Sequence, residues 1–508
     1  MEKSGPLDVL KSLSFILVVS GLLWIVLYHW RRRKLYKLVS KVPGPSGYPI
    51  IGNALIFLFK DQVDLYDSIV KLYSNYSGLF KIWMGSEPFF CIYKPEHLEI
   101  VLNHRQCLAK STHYDFTKPF MGNGLFSAPV NIWKKTRKLI NPAFNQKLLD
   151  SFVPIFSEQA EIFLEVMKKN VGEEDLDIFA KISALQMDSV CETVMGIKMT
   201  TQTSPNDFGN KLDGAMAIAW MRAFNIPYHF EFIYAISKYG KEFNRLVSDL
   251  NKITKAVISE KMKNYEENMI ARKNGEIIEE TRKFKTFSEL LVQLYHEDKQ
   301  MSEQQIQDEV NTLLAAGTDT STTTICFTLL TLGLHPELQE KVYEEIINVL
   351  GEDRVVTKQD LQHLDLLERF IKETMRLFPI AGFFMRKADD DIDLGDGVVP
   401  ANATILINTM ATHRNAKYWK DPLKFDPDRF LPEEVAKRHP YCYLPFSAGP
   451  RGCLGARYAI MSMKTNLATI LRKYRITTDY KSIEEVSLKV HMLLRPADGF
   501  KLSLVERT

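Results

Sequence analysis

The chain has no C-x-x-C pair, and its six cysteines (Cys91, Cys107, Cys191, Cys326, Cys442, Cys453) and eleven histidines show no zinc-finger spacing, so a structural zinc site is not expected. Thiols scattered in this way suit a reducing, cytosolic environment. There is no repeat at a fixed period, no low-complexity run and no useful linker after residue 53, which favours one large domain over the three that 508 residues would otherwise suggest. P-loop and G-x-G-x-x-G patterns are absent as well, so any nicotinamide or flavin electron donor must sit on another protein. Acids are missing from one place: Arg31, Arg32, Arg33, Lys34, Lys37 and Lys41 carry six positive charges unopposed, leaving −3 for the rest of a chain of net +3. No basic stripe marks the body, which argues against a nucleic-acid partner.

What is present begins with an uncharged run, Ser12 to Tyr28. As a helix its 17 residues span about 26 Å, close to the roughly 27 Å core of the endoplasmic reticulum membrane. Lys11 and His29 can reach the headgroups, and Trp24, Tyr28 and Trp30 suit the interfacial belt. A cleaved signal peptide would carry a small-residue site where Arg31–Lys34 stands. The positive cluster on the carboxyl side predicts a single-pass anchor with the body on the cytosolic side. Residues 1–30 are thus read as anchor, 31–53 as a basic, Pro/Gly-rich connector stiffened by Pro43, Pro45 and Pro49, and 54–508 as the catalytic body.

Apolar residues at 3.6 spacing dominate from Val63 to Leu377, so the body is mainly α with a smaller β-rich portion. A hairpin is expected from Leu79–Met84 and Phe89–Tyr93 around Gly85-Ser86-Glu87-Pro88. Ser302-x-x-Gln305 opens a helix of some 30 residues ending near Gly333. The charged stretch Lys261 to Lys285 is expected to be a solvated loop. Short strands are expected at Asp391–Asp396 and Thr404–Ile407, a helix over Ala456–Lys473, and a last strand pair from Leu488–Leu494 and Phe500–Leu504.

One cysteine stands apart. Phe446-Ser447-Ala448-Gly449-Pro450-Arg451-Gly452-Cys453-Leu454-Gly455 sets Cys453 in a glycine-rich loop just before a helix, where N–H groups and the helix amino end lower a thiol's pKa. A lone cysteine is otherwise more often a small core residue. The pattern F-x-x-G-x-R-x-C-x-G resembles the haem-ligand signature of the cytochrome P-450 superfamily. Three further segments follow that superfamily's order: Ala316-Gly317-Thr318-Asp319-Thr320-Ser321, Glu373-Thr374-Met375-Arg376, and Phe425-Asp426-Pro427-Asp428-Arg429-Phe430. In the last, Asp428 replaces the usual Glu.

The resemblance implies a cytochrome P-450 fold and a haem-thiolate monooxygenase. Cys453 would ligate the iron of haem b, Phe446 would pack near the sulfur, and Gly455 would complete the loop. Trp133, Arg137, Arg386 and Arg451 would face the propionates, and Ala316 and Gly317 would leave room for dioxygen. Thr320 would orient the proton-carrying water and Asp319 would relay protons, although helical threonines commonly just bond back to the i−4 carbonyl. Glu373, Arg376 and Arg429 would form a buried structural network.

The wider stretch Glu309 to Thr320 looks like the microsomal family-four clan, which includes fatty-acid ω-hydroxylases and many insect detoxification enzymes. Ala316 occupies the place where members often carry a glutamate esterified to haem, so no covalent link is expected there and strict ω-regioselectivity loses its support. Implied partners are NADPH-cytochrome reductase, cytochrome b5, O2 and a lipophilic substrate (fatty acid, terpenoid or xenobiotic), with Lys134, Lys135 and Lys138 attracting the reductase. Expected pocket walls are His113–Phe126, Leu313–Thr320, Ile380–Phe384 and Pro496–Gly499, with Ala215–Ile236 as a lid against the bilayer. A haem-thiolate isomerase or dehydratase, and a non-catalytic haem sensor or carrier, are the rival readings; Asp319-Thr320 argues against the former.

Overall fold

The computed structural model describes residues 6–48, 51–57, 60–204, 207–274, 285–298, 301–490 and 492–507. Pro49 and Ile50 of the connector, residues 275–284 of the charged stretch and residue 491 of the expected last strand pair lie outside them.

The first helix, Pro6–Arg31, contains the one segment among the described residues that is long and apolar enough to cross a membrane, Leu13–Arg31, and none of that segment is covered by the rest of the chain. A short helix, Arg33–Val39, follows and ties the connector to the body. Lys34 pairs with Asp391 at 3.0 Å, Lys81 Nζ donates to Val39 O at 2.6 Å, and Asn53 exchanges bonds with the backbone of Trp83. Gly52 has φ +64, and a Cβ there would lie 2.4 Å from Trp83 O. Only glycine lets the connector lie that close to the strand.

The strand it touches belongs to a four-stranded sheet. Phe80–Met84 and Glu87–Ile92 form the expected hairpin, turned at Gly85-Ser86; Thr404–Asn408 pairs with the second strand in parallel, and Phe383–Lys387 closes the far edge antiparallel. The remainder is mostly helical.

At its centre runs the helix Glu303–Leu334, whose 32 residues extend about 48 Å. Its start is the expected capping box: Ser302 Oγ accepts from Gln305 N, and the Gln305 side chain accepts from Ser302 N. Ile306, Val310 and Leu314 pack it into one core with the helices Gln146–Met167, Phe179–Val194 and Phe208–Phe224. Ile325 to Leu332 pack into another, with Asp365–Leu377, Ala456–Lys473 and the carboxyl-terminal strands. Between the two cores lies Ala316–Thr320, where Ala316 is exposed and Gly317, Asp319 and Thr320 are half-buried.

Two expectations are corrected. Lys261–Lys273 is not a loop but the last part of a helix, Lys238–Lys273. Lys263, Glu266, Glu267 and Lys273 are exposed, while Ile258, Met262 and Tyr265, spaced one turn apart, pack inward. The last strands also pair differently: Leu488–Val490 forms its own hairpin with Leu494–Pro496, and Lys501–Glu506 crosses to Tyr474–Thr477 and Leu176–Asp177. Gly499, at φ +84, directs that departure, and Phe500 N binds Asp177 Oδ1.

Candidate active site

The cysteine loop is held by its own backbone. Cys453 N donates to Phe446 O at 2.9 Å and Gly452 N to Gly449 O at 2.9 Å, while Ser447 (φ +58) and Gly449 (φ +69) make the left-handed steps between. A Cβ on Gly449 would stand 2.1 Å from Leu102 O, so this glycine is fixed by space as well as by φ. Phe446 is half-buried against the larger core. Of the six cysteines five are buried, and Cys453 alone is exposed.

Two groups approach its sulfur. The N–H of Gly455, residue before the helix Ala456–Lys473, is directed at it, and Arg137 reaches the neighbouring carbonyl, Gly452 O, at 3.1 Å. Trp133 and Arg137 lie one turn apart on the helix Val130–Ile140 as expected, and Trp133 is buried under the Arg451 guanidinium, 4.2 Å from its ring.

Above that tryptophan lies an accumulation of positive charge. Arg451 donates to Leu108 O, Leu125 O and Ala128 O; Arg386 lies over Phe384 and is 3% exposed; Lys110 lies 3.8 Å over Phe126 and 4.5 Å over Tyr114. No ion pair to a carboxylate is formed by Lys110, Arg137, Arg386 or Arg451 among the described residues. Burial first, then mutual repulsion, pushes Arg451 down to about 9 and Lys110 well below its usual range. Buried cations without counter-charge are costly, and such a cluster suits a group that bears two carboxylates. Lys110 was not legible beforehand, since it belongs to no motif.

The central helix presents Ala316, exposed, and Gly317, half-buried. Thr320 Oγ1 donates to Ala316 O at 2.6 Å, the local bond that helical threonines favour, so its oxygen remains free only to accept. Asp319 Oδ1 accepts from Arg495 at 2.7 Å. Burial raises the Asp319 carboxyl while Arg495 pulls it back.

The same helix clamps the loop expected to wall the pocket. Asp308 accepts from Asn123 N at 2.8 Å, Glu309 from Leu125 N at 3.1 Å, and Asn311 donates to Phe120 O at 2.8 Å. Gly122 and Gly124 permit the approach, since a Cβ on either would collide with Asp308 or Thr312. Burial pushes Glu309 up to about 8, with Asp308 adding to the rise and the Leu125 N–H opposing it. The folded state therefore holds this proton between about pH 4.5 and 8 while the unfolded state does not, and stability falls as pH rises through that window. Glu309→Gln is expected to remove that part of the slope, read as the difference between wild-type and variant denaturation midpoints from pH 5 to 8; parallel profiles would refute it.

Behind the cysteine loop, Glu373 and Arg376 are fully buried and paired through two bonds, at 2.7 and 2.8 Å. Arg429 joins Glu373 at 3.4 Å, and Asp426 N donates to the same carboxylate. Arg376 continues to His413 O, Pro422 O and Lys424 O. His413 Nε2 then accepts from Leu444 N at 2.8 Å, two residues before Phe446. Burial pushes His413 down to about 3, keeping it neutral for that bond. Asp428, at the position of the expected Glu, lies outside this network and pairs with Arg369 near the surface.

A family model for cytochrome P450 matches residues 42–504. The chain belongs to the cytochrome P450 family. Similar relatives are cytochrome P450 4c3 of Drosophila melanogaster (33% identical, covering 97% of this chain and 95% of that one), cytochrome P450 4c21 of Blattella germanica (31%, covering 99% and 100%) and human cytochrome P450 4V2 (33%, covering 91% and 88%). The resemblance to family four is thus shared with insect and mammalian members. A solved cytochrome P450DA haem domain superposes with a TM-score of 0.79 at 21% identity, covering 92% of this chain and 98% of that one, which establishes the fold. As a P450 the protein is a haem monooxygenase that uses a cysteine thiolate ligand, dioxygen and a redox partner.

Proposed function

We propose that Cys453 is the thiolate ligand of a non-esterified haem b and that the protein oxygenates a lipophilic substrate taken from the membrane. The carrying observation is the exposed Cys453 sulfur beside a cluster of unpaired, buried cations. That donor set fits the group: Arg386, Arg451 and Lys110 would hold its two carboxylates, with Trp133 supporting Arg451, and Arg137 would steady the cysteine loop through Gly452 O. Ala316 supplies only a methyl group, and the nearby acids Asp319 and Glu309 are engaged by Arg495 and Leu125 N, which supports haem held without an ester. When bound, haem supplies the iron that activates dioxygen for insertion into a C–H bond.

The chain's own part is to admit protons and exclude bulk water. Asp319 would pass protons inward from the surface, and the Thr320 oxygen would accept a hydrogen bond from the water that carries them. Thr320→Ala is expected to fold and to consume NADPH, but to yield several-fold less product and correspondingly more hydrogen peroxide. Unchanged product per NADPH would remove Thr320 from the proton path.

A lipophilic substrate is supported by the aromatic and aliphatic walls at Tyr114, Phe126, Leu313 and Phe383, among the fatty acids, terpenoids and xenobiotics. The open groove of about 890 Å³ between Gln146–Met167 and Val355–Gln359 shares none of these walls. Residues 1–30 would anchor the protein in the endoplasmic reticulum membrane, 31–53 connect, and 54–508 lie on the cytosolic side; exposed Phe224, Phe230, Phe232 and Ile236 would touch the bilayer. Lys134, Lys135 and Lys138, exposed on the helix that carries Arg137, would receive NADPH-cytochrome reductase, and cytochrome b5 in turn. Reductase-supported NADPH and O2 consumption with a lipid panel, with products identified by mass, tests this. Absence of any oxygenated product with haem fully bound would favour the sensor or carrier.

A further inference from the structure

The acid of the central helix is gripped by a residue that none of the four motifs contains. Arg495, on the hairpin strand Leu494–Pro496, donates through one nitrogen, Nη2, to Asp319 Oδ1 at 2.7 Å and to Asp213 Oδ1 at 3.1 Å. Its guanidinium lies 4.2 Å over the Phe179 ring, and its Nε is buried without a partner. The side chain is 14% exposed, against 27% for Asp319 and 49% for Asp213. Asp213 sits on the helix Phe208–Phe224, two residues before the expected lid, Ala215–Ile236, begins on that same helix. One cation therefore joins the lid, the carboxyl-terminal hairpin and the proton-carrying acid.

We propose that Arg495 is the positioning residue for Asp319, and that Asp213 competes for the same guanidinium, so that the placement of the lid helix sets how firmly Asp319 is held. This rests on the reading of Asp319 as proton carrier. Two carboxylates share one cation, so the trio carries a net −1 when all are ionised. Asp213 is half in water and can be solvated if released. Asp319, at 27% exposure, is less open to water than Asp213 and depends more on the guanidinium. Movement of the lid away takes Asp213 with it and leaves Nη2 to Asp319, which favours the ionised carboxylate; approach of Asp213 weakens that hold and favours the protonated acid. The other titratable groups facing the trio are Asp177, on the strand beside the carboxyl-terminal turn, and Cys326, two turns along the central helix.

The test uses the full-length holoenzyme with a reductase and two readouts: product per NADPH against pH, and hydrogen–deuterium exchange of residues 208–224, measured also without haem turnover. Arg495→Met is expected to move the coupling profile about 1 pH unit upward and to raise exchange in 208–224 several-fold. Asp213→Asn is expected to raise exchange likewise but to move the profile downward, and Arg495→Lys to restore most of both. Opposite displacements are something a purely structural contact would not produce. Profiles for Arg495→Met and Asp213→Asn that coincide with wild type, or that move in the same direction, overturn the proposal. Asp319→Asn separates the two layers. If it leaves coupling intact, the proton-carrier reading itself fails; if it uncouples while the other two variants behave as wild type, only the role of Arg495 is lost.

Discussion

Cys453→Ser is expected to fold and to lose oxygenation to the limit of detection, with the carbon-monoxide complex of the reduced protein losing its thiolate-type absorption. The loop makes folding plausible on its own terms. Its shape depends on Cys453 N to Phe446 O, Gly452 N to Gly449 O and the left-handed steps at Ser447 and Gly449, none of which involves the sulfur. Serine fits where cysteine stood, and the exposed position leaves no cavity behind. What disappears is an anion. A thiolate pushes electron density onto iron in a way that a hydroxyl, neutral in this setting, does not. The cation cluster of Lys110, Arg386 and Arg451 is untouched by the change, so haem would still be attracted, and haem content measured by extraction should fall less than activity. A variant with wild-type spectrum and turnover would sink the assignment of Cys453. A variant that also fails to expel urea-induced exposure like wild type would instead make the loop depend on the sulfur.

What could be read from the chain alone divides by the range of the interaction. Ser302 with Gln305, Glu373 with Arg376 and the loop around Cys453 all pair residues within a turn or a tight bend, and each stands in the structure where the spacing put it. Lys110 against Arg386, and Arg495 against Asp319, are brought together only by the fold, across 276 and 176 residues of chain. No local pattern marks them. His413 escaped for a similar reason: its value lies in receiving Leu444 N, a backbone group without a sequence signature. Lys261–Lys273 was illegible for a different reason. Ile258, Met262 and Tyr265 carried the helical period, but the surrounding charges concealed it.

Glu373→Gln is expected to destabilise the protein by about 3–5 kcal/mol, since it leaves the Arg376 charge buried without its counter-ion. Both side chains are 0% exposed, so solvent cannot compensate. Arg376→Met should cost at least as much, because it also strips donors from His413 O, Pro422 O and Lys424 O, carbonyls that fix the segment leading to the cysteine loop. The double variant should cost less than the two losses added, because removing both partners leaves no lone charge. Arg429 prevents full compensation: with Glu373 gone its guanidinium, 3.4 Å away, loses the only carboxylate it faces among the described residues. Denaturant midpoints of the three variants check the order, and haem retention checks the route. If the network acts through His413 and Leu444, haem should be lost at lower denaturant than the global unfolding of the helices; simultaneous loss would mean that the pair supports the whole fold and not the loop in particular.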